Sequence, residues 1–505
     1  MDVKEFREFG YAAVDFIAEY LENIRERQVL PSVEPGYLHN LIPTEVPEEP
    51  ESWKDVLKDI NEKIMPGMTH WQSPNFHAYY PTQTSYSSIV SEMLCSGFGI
   101  VGFSWICSPA CTELEVIVMD WLGKFLDLPK EYLNCSEGPG GGVIQGSASE
   151  AILVAMLTAR QQAVERLKVK YPEMSESEIR GKLVMYSSDQ SNSAVEKSAH
   201  LAAVPIQLLS VDENQALRGE TLQIAVEKDL KNGKFPIACI TTFGTTGTCA
   251  FDNLNEIGPI CQKYNIWLHI DAAFAGSALC CPEYRPLMQG IEYCDSFNFN
   301  LHKWMQVNFD CCAMWFKNAD AVVDAFTIER IYLNHQYQGQ SKAPDYRHWQ
   351  IPLGRRFRAL KVWITLRTIG AEKIRETIRY HCRLAKMFEN KVRADSRFEI
   401  VSQPVLSLVC FKLKGSDDIT QILLDKITER KNVYMIPAKC NGQYMIRFVV
   451  CGLKPEERDI EYAWKEISSQ ADLVCGTDKK EKELATQFTN TVQIGNDISE
   501  KTQII

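Results

Sequence analysis

The chain carries the stretch WLHIDAAF at residues 267–274. Its first four residues are mostly apolar and favour a buried β-strand, which ends on the carboxylate of Asp271. The small residues that follow leave room for a flat ring. Since ligands of open α/β sheets bind at the carboxyl ends of strands, the stretch predicts a ligand site there. The alternative is that Asp271 only caps the next helix.

Short apolar runs alternate with helical patterns on both sides of this stretch. The predicted strands are Gly142–Gln145, Leu183–Ser187, Ile206–Leu209, Ile237–Thr242, Trp267–Ile270, Ser296–Phe299 and Cys312–Phe316. Helices are predicted at Ser149–Lys168 and Leu254–Tyr264. Such alternation is typical of an α/β fold with a mostly parallel sheet of seven strands and helices on both faces.

The ends of the chain have other patterns. Residues 6–24 repeat apolar side chains at helical spacing, and a proline-rich connector covers 31–50. One long helix is predicted over 355–391. After it we predict strands at Leu406–Lys412, Val433–Ile436 and Met445–Val450 and helices at Ile419–Glu429 and Glu456–Ser469. We therefore divide the chain into a helical segment (1–85), a large α/β domain (86–360), a small α+β domain (361–475) and a flexible tail (476–505).

Composition limits the class of protein. The 505 residues carry 54 basic and 65 acidic side chains, a net charge of −11, which disfavours a general nucleic-acid binder. The 17 cysteines are odd in number and show no framework spacing, which favours reduced thiols in a cytoplasmic protein. The charged start MDVKEFRE does not fit a signal peptide, and no apolar run reaches the ~18 residues of a membrane span.

A lysine follows the next predicted strand, in the stretch NFNLHKW at residues 298–304. Most lysines keep the ammonium group in water, and this is the ordinary interpretation of Lys303. Its apolar neighbours Leu301 and Trp304 suggest a different environment. In an apolar pocket the pKa of Lys303 would fall, and the neutral amine would become a nucleophile.

A glycine-rich stretch, GPGGGVIQGSASE at residues 138–150, turns a strand into a helix. Its free backbone N–H groups and two hydroxyls would bind a phosphate. It matches neither the GxGxxG dinucleotide fingerprint nor the GxSxG hydrolase turn. A simple capping box of Ser147 and Glu150 is the alternative, and both can hold together. The hydroxyl-rich turn GTTGT at residues 244–248 is a weaker candidate.

These features together predict one cofactor. Pyridoxal phosphate needs a lysine that holds it covalently, a carboxylate that keeps its pyridine nitrogen protonated and a helix N-terminus that binds its phosphate. Lys303, Asp271 and the helix start after Gly146 supply these groups. The histidines are scattered and neither CxxC nor HExxH occurs, so no metal site is predicted.

The sequence also resembles a known family, the group II pyridoxal-phosphate decarboxylases, close to the aromatic-L-amino-acid decarboxylases. The resemblance covers about residues 1–475 and implies a fold type I enzyme that works as a homodimer. The stretches that carry it are VEPGY (33–37), HAYYPT (77–82), GFSW (102–105), SPACTELE (108–115) and YRHWQIPLGRR (346–356).

The resemblance implies roles for individual residues. Lys303 would hold the cofactor, Asp271 would pair with the pyridine nitrogen, and Ala273 would pack on the ring. The phosphate and the rest of the cofactor would contact Ala148, Ser149, Asn300, Thr246 and His302. The aromatic substrate would contact Trp71, Tyr79, Tyr80, Thr82, Val101, Phe103, Asn192 and Gly354, partly across the dimer interface. Tyr332, in the mobile loop Ile328–Gly339, would protonate the carbanion left after CO2 departs.

Asn192, in YSSDQSNS at residues 186–193, departs from the decarboxylase pattern, which has histidine there. Asparagine neither titrates near neutral pH nor offers an aromatic face. Within the family it is the mark of the insect-type 3,4-dihydroxyphenylacetaldehyde synthases. Slow protonation at the substrate Cα would leave time for O2 to react.

The resemblance therefore implies that L-dopa, O2 and water give 3,4-dihydroxyphenylacetaldehyde, CO2, ammonia and H2O2. This places the enzyme in catecholamine metabolism, with a role in cuticle formation. Two alternatives stay open. One is an ordinary aromatic-L-amino-acid decarboxylase that makes dopamine, and the other is a non-catalytic relative that acts as a binding protein. The presence of Lys303, Asp271 and Tyr332 argues against the second.

Overall fold

The computed structural model describes residues 1–337 and 344–476, and its main feature is a seven-stranded sheet. The strands are β1 (Gly141–Gln145), β2 (Leu183–Ser188), β3 (Ile206–Leu209), β4 (Phe235–Thr242), β5 (Trp267–Asp271), β6 (Ser296–Asn300) and β7 (Cys312–Phe316). Their order across the sheet is β1-β7-β6-β5-β4-β2-β3. In the described sheet, β7 runs antiparallel to both of its neighbours, β1 and β6, and all other pairs are parallel. All seven predicted strands are confirmed to within two residues at each end.

Helices pack on the sheet, and further helices lie in the first and last segments that the structure describes. They are α1 (Val3–Glu22), α2 (Trp53–Asp59), α3 (Tyr86–Phe98), α4 (Pro109–Leu126), α5 (Ala148–Lys170), α6 (Glu176–Arg180), α7 (Ser193–Leu201), α8 (Gly219–Lys231), α9 (Leu254–Tyr264), α10 (Leu301–Trp304), α11 (Asp320–Phe326), α12 (Arg358–Ile369), α13 (Ala371–Ala394), α14 (Asp417–Glu429) and α15, described over 457–476. Two apolar cores lie on opposite sides of the strands, and the predicted α/β fold is confirmed.

A second, antiparallel sheet follows in the order β10-β11-β9-β8. Its strands are β8 (Phe398–Ile400), β9 (Leu408–Leu413), β10 (Ile436–Cys440) and β11 (Gln443–Val449). It packs with α13, α14 and α15 around a separate apolar core. Residue Arg447 of β11 points back to the large sheet, where its guanidinium bonds the turn after β4.

Two predictions about the second half of the chain are wrong. The helix expected over 355–391 is two helices, because the backbone leaves the helical conformation at Gly370, where φ is +83°. The strand expected at Val433–Ile436 instead begins at Ile436. The turn residues Asn441 and Gly442, both with positive φ, pair Cys440 with Gln443 and so fix the register of the hairpin.

Within the described residues, no helix combines the length and the apolar character that crossing a membrane requires. The tail predicted over 476–505 lies outside the described residues except for residue 476, as does part of the loop predicted to be mobile, Ile328–Gly339. The division into domains stays a prediction.

Candidate active site

A cavity of about 210 Å³ opens at the carboxyl ends of β4, β5 and β6. It is placed there by topology, because α5 starts at the same edge of the sheet from the end of β1. The lining side chains come from six separate segments. They are Tyr80, Ser147, Ala148, Ser149, Asn192, Ala194, Thr242, Gly244, Thr246, Asp271, Ala273, Phe274, Asn300 and Lys303.

Lys303 lies on the short helix α10, directly after β6, and reaches the cavity. Its Nζ atom is 5.7 Å from the centroid of the Tyr80 ring. Burial lowers the pKa of Lys303, while the carboxylate of Asp271 acts in the opposite direction. The amine is therefore easier to deprotonate than in water, as the nucleophile hypothesis requires.

Asp271 ends β5 inside the cavity wall and is 5% exposed. Its Oδ1 atom accepts hydrogen bonds from the backbone N–H of Ala273 at 3.1 Å and from the Asn298 amide at 3.4 Å. Burial raises the pKa of Asp271, and Lys303 and the two donors oppose this rise. A ligand with a protonated ring nitrogen would pair with this buried carboxylate.

A buried chain of hydrogen bonds ends on Asp271. The indole of Trp267 donates to Ser296 Oγ at 2.9 Å, and Ser296 lies 2.7 Å from His269 Nδ1. His269 Nε2 lies 2.8 Å from the Asn298 carbonyl, whose amide nitrogen donates to Asp271. Burial lowers the pKa of His269 to about 4, so the ring is neutral, and its proton lies on Nε2 because the facing Asn298 oxygen can only accept. Every donor in this series of hydrogen bonds thus points toward the Asp271 carboxylate.

The N-terminus of α5 forms the opposite wall. The Ser147 hydroxyl caps the helix by accepting from the backbone N–H of Glu150 at 3.2 Å, and Ala148 and Ser149 follow in the first turn. The Glu150 carboxylate accepts from Gly146 at 2.9 Å instead of closing the box on Ser147. Nearby, Asn300 is 3% exposed and its Oδ1 atom has no partner in the described part of the chain. The capped helix start keeps room for an anion.

Asn192 is the N-cap of α7 and lines the same cavity. Its carbonyl accepts from the backbone N–H of Ala194 at 3.0 Å, and its amide nitrogen donates to Thr246 Oγ1 at 2.9 Å. An asparagine N-cap is worth about 1 kcal/mol relative to alanine. The residue that departs from the decarboxylase pattern is therefore fixed at the cavity wall.

Several of the residues predicted to form the site do not line the cavity. His302 accepts a hydrogen bond from Cys311 N, and burial lowers its pKa to about 3; its backbone carbonyl accepts from Thr82 Oγ1 at 2.9 Å. Trp71 and Tyr79 stack on each other at 5.6 Å, away from the lining. Val101, Phe103, Gly354 and Tyr332 also lie outside the lining, and Tyr332 is 76% exposed. Their predicted roles stay predictions.

Some neighbours of the site are not predicted from the sequence. Phe274 stacks on Tyr80 with 3.9 Å between ring centroids, and the guanidinium carbon of Arg447 lies 5.0 Å from the centroid of the same Tyr80 ring. Asn298 could have been found, because parallel pairing in register sets it beside Asp271. A buried arginine in the apolar run MIRFVV was the only signal for Arg447.

The residues fit pyridoxal phosphate. The cavity combines an amine with a lowered pKa, a buried carboxylate, a helix start with free N–H groups and the unpartnered amide oxygen of Asn300. Fold and site define a pyridoxal-phosphate-dependent enzyme. The conserved domain of pyridoxal-dependent decarboxylases matches residues 35–414, and the chain belongs to this family.

Known proteins with similar sequences carry two activities in their names. The 3,4-dihydroxyphenylacetaldehyde synthase of Aedes aegypti is 62% identical over 478 residues, which cover 95% of this chain and 92% of that protein. The aromatic-L-amino-acid decarboxylase of Drosophila melanogaster is 54% identical over 472 residues, 94% and 92% of the two chains. Among solved structures, the 4-hydroxyphenylacetaldehyde synthase of Rhodiola rosea has a TM-score of 0.86 at 36% identity, with 94% and 99% covered.

Proposed function

We propose that the chain is an aromatic aldehyde synthase that converts L-dopa, O2 and water into 3,4-dihydroxyphenylacetaldehyde, CO2, ammonia and H2O2. The observation that carries this proposal is Asn192 at the cavity wall, where it is held by Ala194 and Thr246 and offers no group that titrates near neutral pH. The similarity to an insect aldehyde synthase and to a plant aldehyde synthase of the same fold supports it.

Bound pyridoxal phosphate supplies an electron sink for the pair released when the substrate carboxylate leaves as CO2. Lys303 would hold the cofactor by its amine, and the N-terminus of α5 would bind the phosphate. Asp271 would keep a proton on the ring nitrogen, with the Ala273 N–H and the Asn298 amide, itself held by His269, fixing the carboxylate. Asn192 would contribute a hydrogen bond but no acid for the substrate Cα.

The absence of an acid at position 192 decides between two fates of the substrate Cα. A fast proton transfer to this carbon gives the amine, and positioned acids accelerate such transfers by about 10²–10⁴-fold. When the transfer is slow, O2 instead takes two electrons from the substrate, together with two protons, and becomes H2O2. Water then releases the aldehyde and ammonia. The balance of these two paths is the product ratio.

The experiment is product analysis of the purified holoenzyme with L-dopa in air-saturated buffer. We expect the aldehyde as the dominant product and dopamine as the minor one, with equal amounts of aldehyde and H2O2. The same reaction without enzyme controls for spontaneous oxidation of the catechol. Dopamine as the dominant product would contradict the proposal and support the second candidate, an ordinary decarboxylase, which the presence of Tyr332 favours.

We also propose that the enzyme is a homodimer. No residue of α1 is buried, and its apolar side chains Phe6 and Tyr11 are 62% and 72% exposed. Val101 is 52% exposed and lies against Gly354, although both residues are expected to contact the substrate. A second copy would cover these surfaces and complete the aromatic pocket.

The dimer proposal predicts a solution mass of twice 57.5 kDa. Light scattering coupled to size-exclusion chromatography measures it directly. Replacing Phe6 and Tyr11 by serine should weaken the dimer, because the exposed apolar surface that would contact the second copy is lost. The same change at Val169, which is 85% exposed on α5, should leave the dimer intact. A monomer of full activity would contradict the proposal.

A cytoplasmic location and a role in catecholamine metabolism and cuticle formation complete this proposal. All 17 cysteines lie in the described residues and none is paired, which fits a reducing compartment. A catechol aldehyde reacts with protein amines, as crosslinking of cuticle requires. Fractionation of cells that express the protein would test the location, and recovery in the secreted fraction would contradict it.

A further inference from the structure

The amide of Asn192 has only one possible orientation. Its oxygen must face Ala194, because a backbone N–H can only donate. The amide nitrogen therefore faces Thr246 and donates to Oγ1 at 2.9 Å. In this arrangement the Thr246 hydroxyl is an acceptor for Asn192, and its own proton is free to point elsewhere.

Thr246 is itself held in place by the residues on either side. The carbonyl of Thr245 accepts from the Tyr80 hydroxyl at 3.0 Å, and its Oγ1 atom accepts from the backbone N–H of Ala250 at 3.0 Å. The carbonyl of Gly247 accepts from Arg447 Nε at 3.1 Å. The turn starts at Gly244, with φ of +91°, where a Cβ atom would lie 2.5 Å from Ala275 Cβ. The fold thus fixes the backbone on either side of Thr246.

Hydrogen bonds at both the oxygen and the nitrogen hold the Asn192 amide in the cavity wall, and the amide does not act as an acid. Without the contact to Thr246, the amide nitrogen would lose its partner, and water would hydrate it. Water at that place is a proton source beside the substrate. The hydrogen bond to Thr246 therefore favours slow protonation of the substrate Cα, on which aldehyde formation depends.

We propose that Thr246 is a positioning residue for Asn192 and that the hydrogen bond between them sets the ratio of aldehyde to amine. This inference rests on the proposed function and deepens it, since it names a second residue that determines product specificity. Arg447 and Tyr80 contribute by holding the turn that carries Thr246.

The test compares Thr246→Val with Thr246→Ser. Valine keeps the shape and removes the acceptor, whereas serine keeps the hydroxyl. We expect the valine variant to raise the amine-to-aldehyde ratio about fivefold, which corresponds to ~1 kcal/mol, the size of one hydrogen bond. The serine variant should restore the ratio to within about twofold. The ratio is internal to each sample, so a lower fraction of active enzyme does not move it.

The background Asn192→Ala is the matched control, because no side-chain N–H remains there to donate to Thr246. Thr246→Val should leave the product ratio of that variant unchanged. A second measurement uses the protein without cofactor: Thr246→Val should lower the melting temperature in the Asn192 background and not in Asn192→Ala. An unchanged ratio in Thr246→Val would overturn the inference, and so would additive melting temperatures, because they would show that the two side chains do not interact.

The two failures are distinguishable. If the wild-type enzyme makes dopamine alone, the proposed function fails and no ratio can shift. If the wild-type enzyme makes aldehyde and Thr246→Val makes the same proportion, only the inference about Thr246 fails.

Discussion

Lys303→Ala should abolish turnover of L-dopa, with a loss of at least about 10³-fold, and should remove the visible absorption band of a lysine-linked pyridoxal. The reason is that Lys303 is the amine that the fold delivers to the cavity, at the end of β6 and with a lowered pKa. Absorbance of the purified protein after dialysis against pyridoxal phosphate measures the band.

Lys317 provides the control for this variant. It follows β7, two strands from β5, and donates to the backbone carbonyl of Glu292 at the surface. Lys317→Ala should keep the band and the rate. If Lys303→Ala retained the band, the covalent attachment would have to be at another lysine, and the assignment of the cavity as the active site would be wrong.

Asn192→His should shift the product from aldehyde toward dopamine, with a rise of about tenfold or more in the amine-to-aldehyde ratio, because an imidazole beside the substrate can transfer a proton. The variant also loses the amide that caps α7 and contacts Thr246. Chromatography of both products from one reaction measures the ratio.

Gln190→His is the matched control for position. Gln190 lies on the same loop, two residues earlier, and its amide donates to Asp189 at 3.1 Å. A histidine at this place should leave the product ratio unchanged. An equal shift in both variants would mean that any nearby imidazole suffices, and an unchanged ratio in Asn192→His would remove position 192 from the account.

The sequence predicted the sheet well because its strands are local signals. The apolar runs at β5 and β6 are short, lie between helical patterns and end on Asp271 and Asn300. Parallel strands bring such ends to one edge, so the cavity followed from the order of the strands. The break at Gly370 was not predicted, because the apolar pattern continues through it and only the positive φ interrupts the helix.

The contacts within the site were harder to predict, because they join segments far apart in the chain. The bond from Asn192 to Thr246 spans 54 residues, and the bond from Arg447 to Gly247 spans 200. The residue types gave no hint of these pairs. Similarly, Tyr332 and Val101 belong by resemblance to the site, but a single chain leaves both exposed, as expected where a second copy completes the pocket.

The most direct test of the central claim is the amount of O2 consumed for each CO2 released during turnover of L-dopa. An oxygen electrode with catalase inhibited and trapped ¹⁴CO2 from carboxyl-labelled L-dopa give both quantities in one reaction. We predict a ratio close to one, because the aldehyde path uses one O2 for each carboxylate lost. Release of CO2 without uptake of O2 would show an ordinary decarboxylase and contradict the account.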